Sequence, residues 1–245
     1  MTLGGHIVEL RNRLLFSVIG IVLGMVVGFY FGTFFIDLLS QPIFEIAKSK
    51  NASLNFDTIT SGFDLRMRIA LTVGIVVSSP VWLYNIWAYF VPALSRREIG
   101  YAVGFLGSAI PLFLAGCYAG WSVFPNIVKL MAGFAPDNAS NFFPALGYFQ
   151  FALTLMLVVG VAFVLPVFLV LLNFVGILSA SSIIKGWRVA VLVITLFCAM
   201  ATPAADVISM LVLAVPMVAL YFAAYGVAFI HDRLAAKRLA KEGLA

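Results

Sequence analysis

From Leu14 to Ile36 the chain runs for 23 residues without one charged side chain. A helix that spans a bilayer needs about 20 consecutive apolar residues. Five further charge-free runs follow, at about 69–91, 100–125, 148–174, 189–205 and 207–230. A buried core in water does not require six such stretches, and 63% hydrophobic against 10% charged residues leaves too little polar surface to cover one. Soluble domains carry about 25% charged residues. The chain therefore reads as all-α: a polytopic membrane protein of six transmembrane helices in a single membrane domain, 1–245. Residues 231–245 form a basic tail with the pattern of a short amphipathic helix. The first run exceeds the ~7–15 residues of a cleavable signal core and no A-x-A-like site follows it, so it reads as a retained span.

Charges punctuate the runs. A long polar connection, 37–68, and a second, 126–147, alternate with short basic turns around Arg96–Arg97 and Lys185–Arg188. With the N-terminus inside, ten Lys and Arg fall on inner segments and five on outer ones. That bias places both ends in the cytoplasm. Span five, with 17 residues, reaches only about 25 Å against a hydrocarbon core of about 30 Å, so this pair of helices is expected to thin the bilayer locally. Pro80, Pro111, Pro166 and Pro216 lie inside spans. Each removes a backbone donor and favours a kink, which predicts a kinked, cupped bundle.

The absences narrow the function. No Asp, Glu, Lys, Arg or His lies within a span, where transporters and pumps keep the ionisable groups that move ions or protons. A small-solute secondary transporter or channel is the main rival reading, and it lacks this chemistry. His6 and His231 stand at opposite ends of the chain, so neither a Ser–His hydrolase nor a His-ligated metal site is expected in the membrane. There is no phosphate-binding loop or dinucleotide fingerprint. The chain reads as no enzyme, with no cofactor. The net charge of +5 is dispersed between spans as loop anchors, not gathered in a stripe for nucleic acid. Cys117 and Cys198, inside apolar runs, read as small core residues.

What remains lies at the inner edge. The segment His6-Ile7-Val8-Glu9-Leu10-Arg11-Asn12-Arg13 and the loop Pro92-Ala93-Leu94-Ser95-Arg96-Arg97-Glu98 each put a carboxylate just outside a span. Glu9 and Glu98 either pair with the neighbouring arginines or form an acidic pocket for an incoming guanidinium, which carboxylates hold through paired charge-assisted hydrogen bonds.

These residues resemble the TatC family, the large core subunits of twin-arginine protein translocases. The run from His6 to Leu15 resembles the family's opening motif, and Ser79 to Leu94 its second span and following loop. Phe124-Pro125 resembles the end of the third span, Phe163-Val164-Leu165-Pro166 the fourth, and Ala201-Thr202-Pro203-Ala204-Ala205-Asp206 the tight turn between spans five and six, with Pro216 in the sixth. The resemblance covers nearly the whole chain. It implies a six-helix cupped bundle in the bacterial cytoplasmic (inner) membrane. Such a bundle receives twin-arginine signal peptides and works with the single-span subunits TatA and TatB and with further copies of itself. Folded proteins are exported, driven by the proton-motive force.

The resemblance further implies that Glu9 and Glu98 contact the signal arginines, that Arg11 and Arg13 shape the site, and that Phe90 belongs to the same region. Pro42 matches a proline of the first outer loop and Asp206 the acidic residue of the last. Two positions depart from the family. Val164 stands where a Glu or Gln is frequent in span four, with Gln150 nearer the outer start of that span. Met210 stands where some members carry a Gln. Both departures bear on contacts with partner helices.

Overall fold

In the computed structural model, residues 3–50, 53–90, 99–133, 142–202 and 207–241 are described. Among them the chain forms α1 (Leu3–Tyr30), α2 (Gly32–Lys50), β1 (Ser53–Asn55), α3 (Ser61–Val77), α4 (Ser79–Phe90) and α5 (Ile99–Gly133). Then come β2 (Phe142–Pro144), α6 (Ala145–Phe174), α7 (Ala180–Lys185), α8 (Trp187–Ala201) and α9 (Val207–Lys241). Among the described residues α1, α5, α6 and α9 each carry a stretch long and apolar enough to cross a membrane, and α3 with α4 makes a fifth as a pair bent by 57°. The bend falls at Ser78, just before Pro80. Proline has no N–H to continue the ladder, and the indole of Trp82 donates to the Ile75 carbonyl at 2.9 Å, capping a backbone acceptor beside the break. At Pro111, Pro166 and Pro216 the helices run on through the proline.

α1 lies against α3 and α4 along a seam of small residues. A Cβ added to Gly24 would stand 2.7 Å from the Gly74 carbonyl oxygen, and one on Gly28 2.8 Å from that of Ala70. At Gly20 the neighbours are Val81 and Ser78. As numbers fall along α1 they rise along α3 and α4, so the helices are antiparallel. Small side chains permit this approach where the solvent gives no hydrophobic drive between helices. α5 and α6 pack the same way, with a Cβ on Gly116 lying 2.8 Å from Gly160 Cα.

The main core gathers Ile43 of α2, Leu65 and Ile69 of α3, Phe124 of α5, Phe149 and Leu155 of α6, and Leu213 of α9. A second cluster holds Leu83 and Trp87 of α4 with Phe113 and Val164. The outward faces stay apolar, with Phe16, Leu23 and Val26 of α1 among many exposed large side chains.

Four local features differ from the linear reading. The stretch after Ile36, expected as a polar connection, is largely helical. Its charges hide an i, i+4 face on which Leu39 and Ile43 are buried. α5 continues past Phe124-Pro125 to Gly133, because Ile127, Val128 and Ala132 keep a buried face going. β1 and β2 form a small parallel ladder, Ser53 opposite Phe142 and Asn55 opposite Pro144. It joins the two long connections, and three-residue strands leave almost no periodicity to detect. The tail is no separate helix either, since α9 runs unbroken through 35 residues to Lys241.

Candidate functional site: the rim where α1 begins and α4 ends

The antiparallel seam brings the first turns of α1 beside the last turns of α4. Between them lies a cleft of about 350 Å³, lined by Leu10, Arg13, Leu14 and Ser17 from α1 and by Trp82, Asn85, Ile86 and Tyr89 from α4. Its walls are mostly aliphatic and aromatic, with the polar groups of Arg13, Ser17, Asn85 and Tyr89 spread along it.

Glu9 stands one turn before Arg13 on α1, beside the cleft lining. The Arg13 guanidinium donates from Nε at 3.0 Å and from Nη2 at 2.6 Å, both to Glu9 Oε1. An i, i+4 spacing on a helix makes this pairing possible. Oε2 accepts no hydrogen bond among the described residues. Glu9 is thus held by an arginine of its own helix through one of its two oxygens. The side chains are 22% (Glu9) and 27% (Arg13) exposed, so the pair is neither dry nor fully wet. The Arg13 carbonyl also accepts from Ser17 Oγ at 3.0 Å. Arg11 points elsewhere and makes only a long contact, 3.4 Å, to Asn12 Oδ1.

α4 ends at Phe90, so its backbone finishes where Glu9 and Arg13 stand; of this residue the structure describes the backbone alone. Glu98 and Asp206 lie outside the described residues. Sequence reasoning passed over Ser17, Trp82, Asn85 and Tyr89 as site residues. The signal that marks them is the spacing: Ser17 is four residues from Arg13, and Tyr89 four from Asn85, on the faces that the seam turns together.

The other candidates lie away from this rim. Pro42 is buried inside α2; next to the turn it loosens, the Leu39 carbonyl accepts from the Tyr148 hydroxyl of α6 at 2.8 Å. Gln150, in the second turn of α6, is exposed. Thr202 is buried and closes α8, its hydroxyl donating to the Cys198 carbonyl at 2.9 Å. Met210, partly buried in the first turn of α9, packs against the main core. Gln150, Thr202 and Met210 all sit at the end of the bundle opposite Glu9. Val164 is buried beside Leu83, Trp87 and Phe113, facing the bundle and not an outer surface.

Comparisons with known proteins agree across nearly the whole length. The family profile described as "Sec-independent protein translocase protein (TatC)" matches residues 5–216. The Sec-independent protein translocase protein TatC of Xylanimonas cellulosilytica is 43% identical over 242 residues, 98% of this chain and 88% of the relative. That of Rothia mucilaginosa is 33% identical, over 98% of this chain and 83% of the relative. A crystal structure described as that of the twin arginine translocase receptor TatC superposes with a TM-score of 0.74 at 28% identity, covering 92% of this chain and 98% of that one. A second, in the detergent DDM, gives 0.76, covering 91% and 99%.

Proposed function

This chain belongs to the TatC family of Sec-independent protein translocase proteins, and from that premise we propose that it receives twin-arginine signal peptides at the α1–α4 rim. The observation that carries the reading is the cleft itself. It is a mostly apolar slot lined by Arg13, whose guanidinium pairs with the Glu9 carboxylate one turn nearer the N-terminus of α1. The apolar stretch of a signal enters the slot, and its arginines meet Glu9 and, from the adjoining loop, Glu98. Each partly wet ion pair contributes about 0.2–1 kcal/mol, so burial at about 25 cal/mol per Å² supplies most of the affinity. The carboxylates supply discrimination, because lysine does not reproduce the planar fork of arginine. Arg13 keeps Glu9 from collapsing onto the helix, Arg11 offers charge at the open surface, and Phe90 closes α4 beside them.

In this reading the protein works by binding and assembly, without catalysis, as the core translocase subunit in the bacterial cytoplasmic membrane. Five apolar crossings and the short α8 make six spans with both termini cytoplasmic. TatA- and TatB-type single-span subunits and further copies of the chain dock along the membrane faces, with Gln150, Thr202 and Met210 at the outer end of that region, Asp206 contributing to the same docking and Pro42 shaping α2. The proton-motive force drives export.

The test is a photo-crosslinking signal peptide and the variant Glu9→Gln. Crosslinks to the α4 wall should fall several-fold and the preference for Arg-Arg over Lys-Lys signals should shrink. Equal crosslinking of both signals by parent and variant alike would exclude the assignment.

A further inference from the structure

A second polar assembly stands on the same rim, at the far side of the bundle. α6 ends at Phe174, and the chain reverses through Gly176, whose φ of +82° suits a residue without a Cβ. Asn173, only 3% exposed, donates from Nδ2 to the Leu178 carbonyl at 2.8 Å and to Asp232 Oδ1 at 2.9 Å. The other carboxylate oxygen of Asp232 accepts from the N–H of Ala180, the first residue of α7, at 2.8 Å. One turn along, the Tyr221 hydroxyl donates to the Ile183 carbonyl of α7. The ring of His231 lies 4.5 Å from that of Phe174 and its Nδ1 stands 3.6 Å from Asp232 Oδ1. One carboxylate of α9 therefore ties the end of α6 to the start of α7.

α7 leads through Gly186 straight into α8. α8 packs chiefly on α9. Between α8 and α6 lies an apolar cleft of about 550 Å³, whose walls include Leu169 and Pro166 of α6 and Val189 and Val193 of α8. With its α6 side open, the angle of α8 to α6 is set by its α9 face and by α7 at its base. A 15-residue helix is about 22 Å long, and a tilt of roughly 10° at its base moves its far end by about 4 Å.

We infer that Asp232 is a positioning residue: by clamping α7 to α6 and α9 it fixes the angle at which α8 stands off the bundle, and so the shape of the membrane face presented to single-span partner subunits. The partner half of this inference rests on the function proposed above; the clamp does not. Asp232 touches no signal peptide and acts only through α7.

The experiment uses the full-length protein in membranes, with Cys117 and Cys198 replaced by alanine. Leu169→Cys and Val193→Cys are placed across the cleft and joined by a short bifunctional maleimide, in the absence of signal and partners. Adding Asp232→Ala should change the crosslinking rate at least three-fold and broaden it over reagents of different length, while the protein remains protease-resistant. Asp232→Asn, which keeps one acceptor oxygen, should restore part of the change. With partner subunits present, crosslinks from Leu196→Cys to a single-span subunit should drop, whereas signal crosslinking at the α1–α4 cleft should not. A cleft crosslinking rate within 1.5-fold of the parent in Asp232→Ala overturns the clamp. If that variant does not accumulate, Asn173→Ala, which removes one of the two links, is read by the same criterion. A chain that never crosslinks a twin-arginine signal refutes the proposed function and leaves the cleft measurement valid.

Discussion

Glu9 pairs with Arg13 on its own helix, and the contact proposed for a signal arginine must be made beside that pair. Nε and Nη2 of Arg13 converge on a single oxygen, which orients the group and leaves the other oxygen without a hydrogen bond among the described residues. Arg13→Lys replaces the fork with a point donor, and a loss of about 0.2–1 kcal/mol in signal binding is expected, read as up to about a five-fold weaker crosslink at fixed peptide concentration. Asp232 invites a pH experiment. Burial, the largest single influence, pushes its carboxyl up, yet the Ala180 N–H, the Asn173 amide and the neighbouring His231 together hold it below the ordinary carboxylate range. A carboxyl lowered in the folded state stabilises the fold above its unfolded pKa, and the contribution is lost as pH falls through the folded value. Wild-type protein in detergent should therefore out-melt Asp232→Asn at pH 6, and the gap should close towards pH 3; a constant gap would contradict the ionised clamp. Among the described residues the titratable group beside Asp232 is His231, from its own helix; α6 and α7 present an amide and a backbone N–H.

At the scale of the helices, the seam of Gly20, Gly24 and Gly28 decides where the rim is. Gly24→Leu would drive side-chain atoms into the Gly74 backbone, where even a Cβ lies 2.7 Å from an oxygen. Overpacking of this kind costs about 1–3 kcal/mol. The expected result is a lower melting temperature together with weaker signal crosslinking, since α1 carries Glu9 and α4 the opposite wall. Gly32→Ala, at a glycine with open space around it, should change neither. The apolar runs announced α1, α5, α6 and α9 because a helix facing lipid is charge-free along its length. α2 was hidden, since its polar and charged residues, Asp37 among them, mask the short face of Leu39 and Ile43. The bend at Ser78 was foreshadowed by Pro80, but not its size: proline marks where a ladder is interrupted, and packing sets the angle.

For the whole molecule, alternating helix directions put the α1 terminus, the end of α4, the α6–α7 turn and the far end of α9 on one side, with β1 and β2 on the other. α9, at 35 residues, is about 52 Å long and overshoots a hydrocarbon core of about 30 Å; Arg233 and Lys237 lie in the overshoot. On a chain stripped of its own cysteines, Ala236→Cys should react with an impermeant maleimide only in inverted vesicles, and Ile59→Cys only in intact cells. Labelling of Ala236→Cys in intact cells would overturn the cytoplasmic placement of the C-terminus.

By itself the sequence determined that lipid surrounds this chain, where most of its helices run, and that its charges sit at their ends, because the cost of burying charge in a bilayer is imposed residue by residue. It also carried the family motifs around Glu9 and Pro80. Only the tertiary structure decided that Glu9 engages Arg13 through one oxygen, that Trp82, Asn85 and Tyr89 line a cleft with Arg13, and that Asp232 of α9 holds the N–H of Ala180. These are contacts between side chains on different helices, or choices among partners on one. They depend on close helix approach and antiparallel register, which no local pattern of apolar residues encodes.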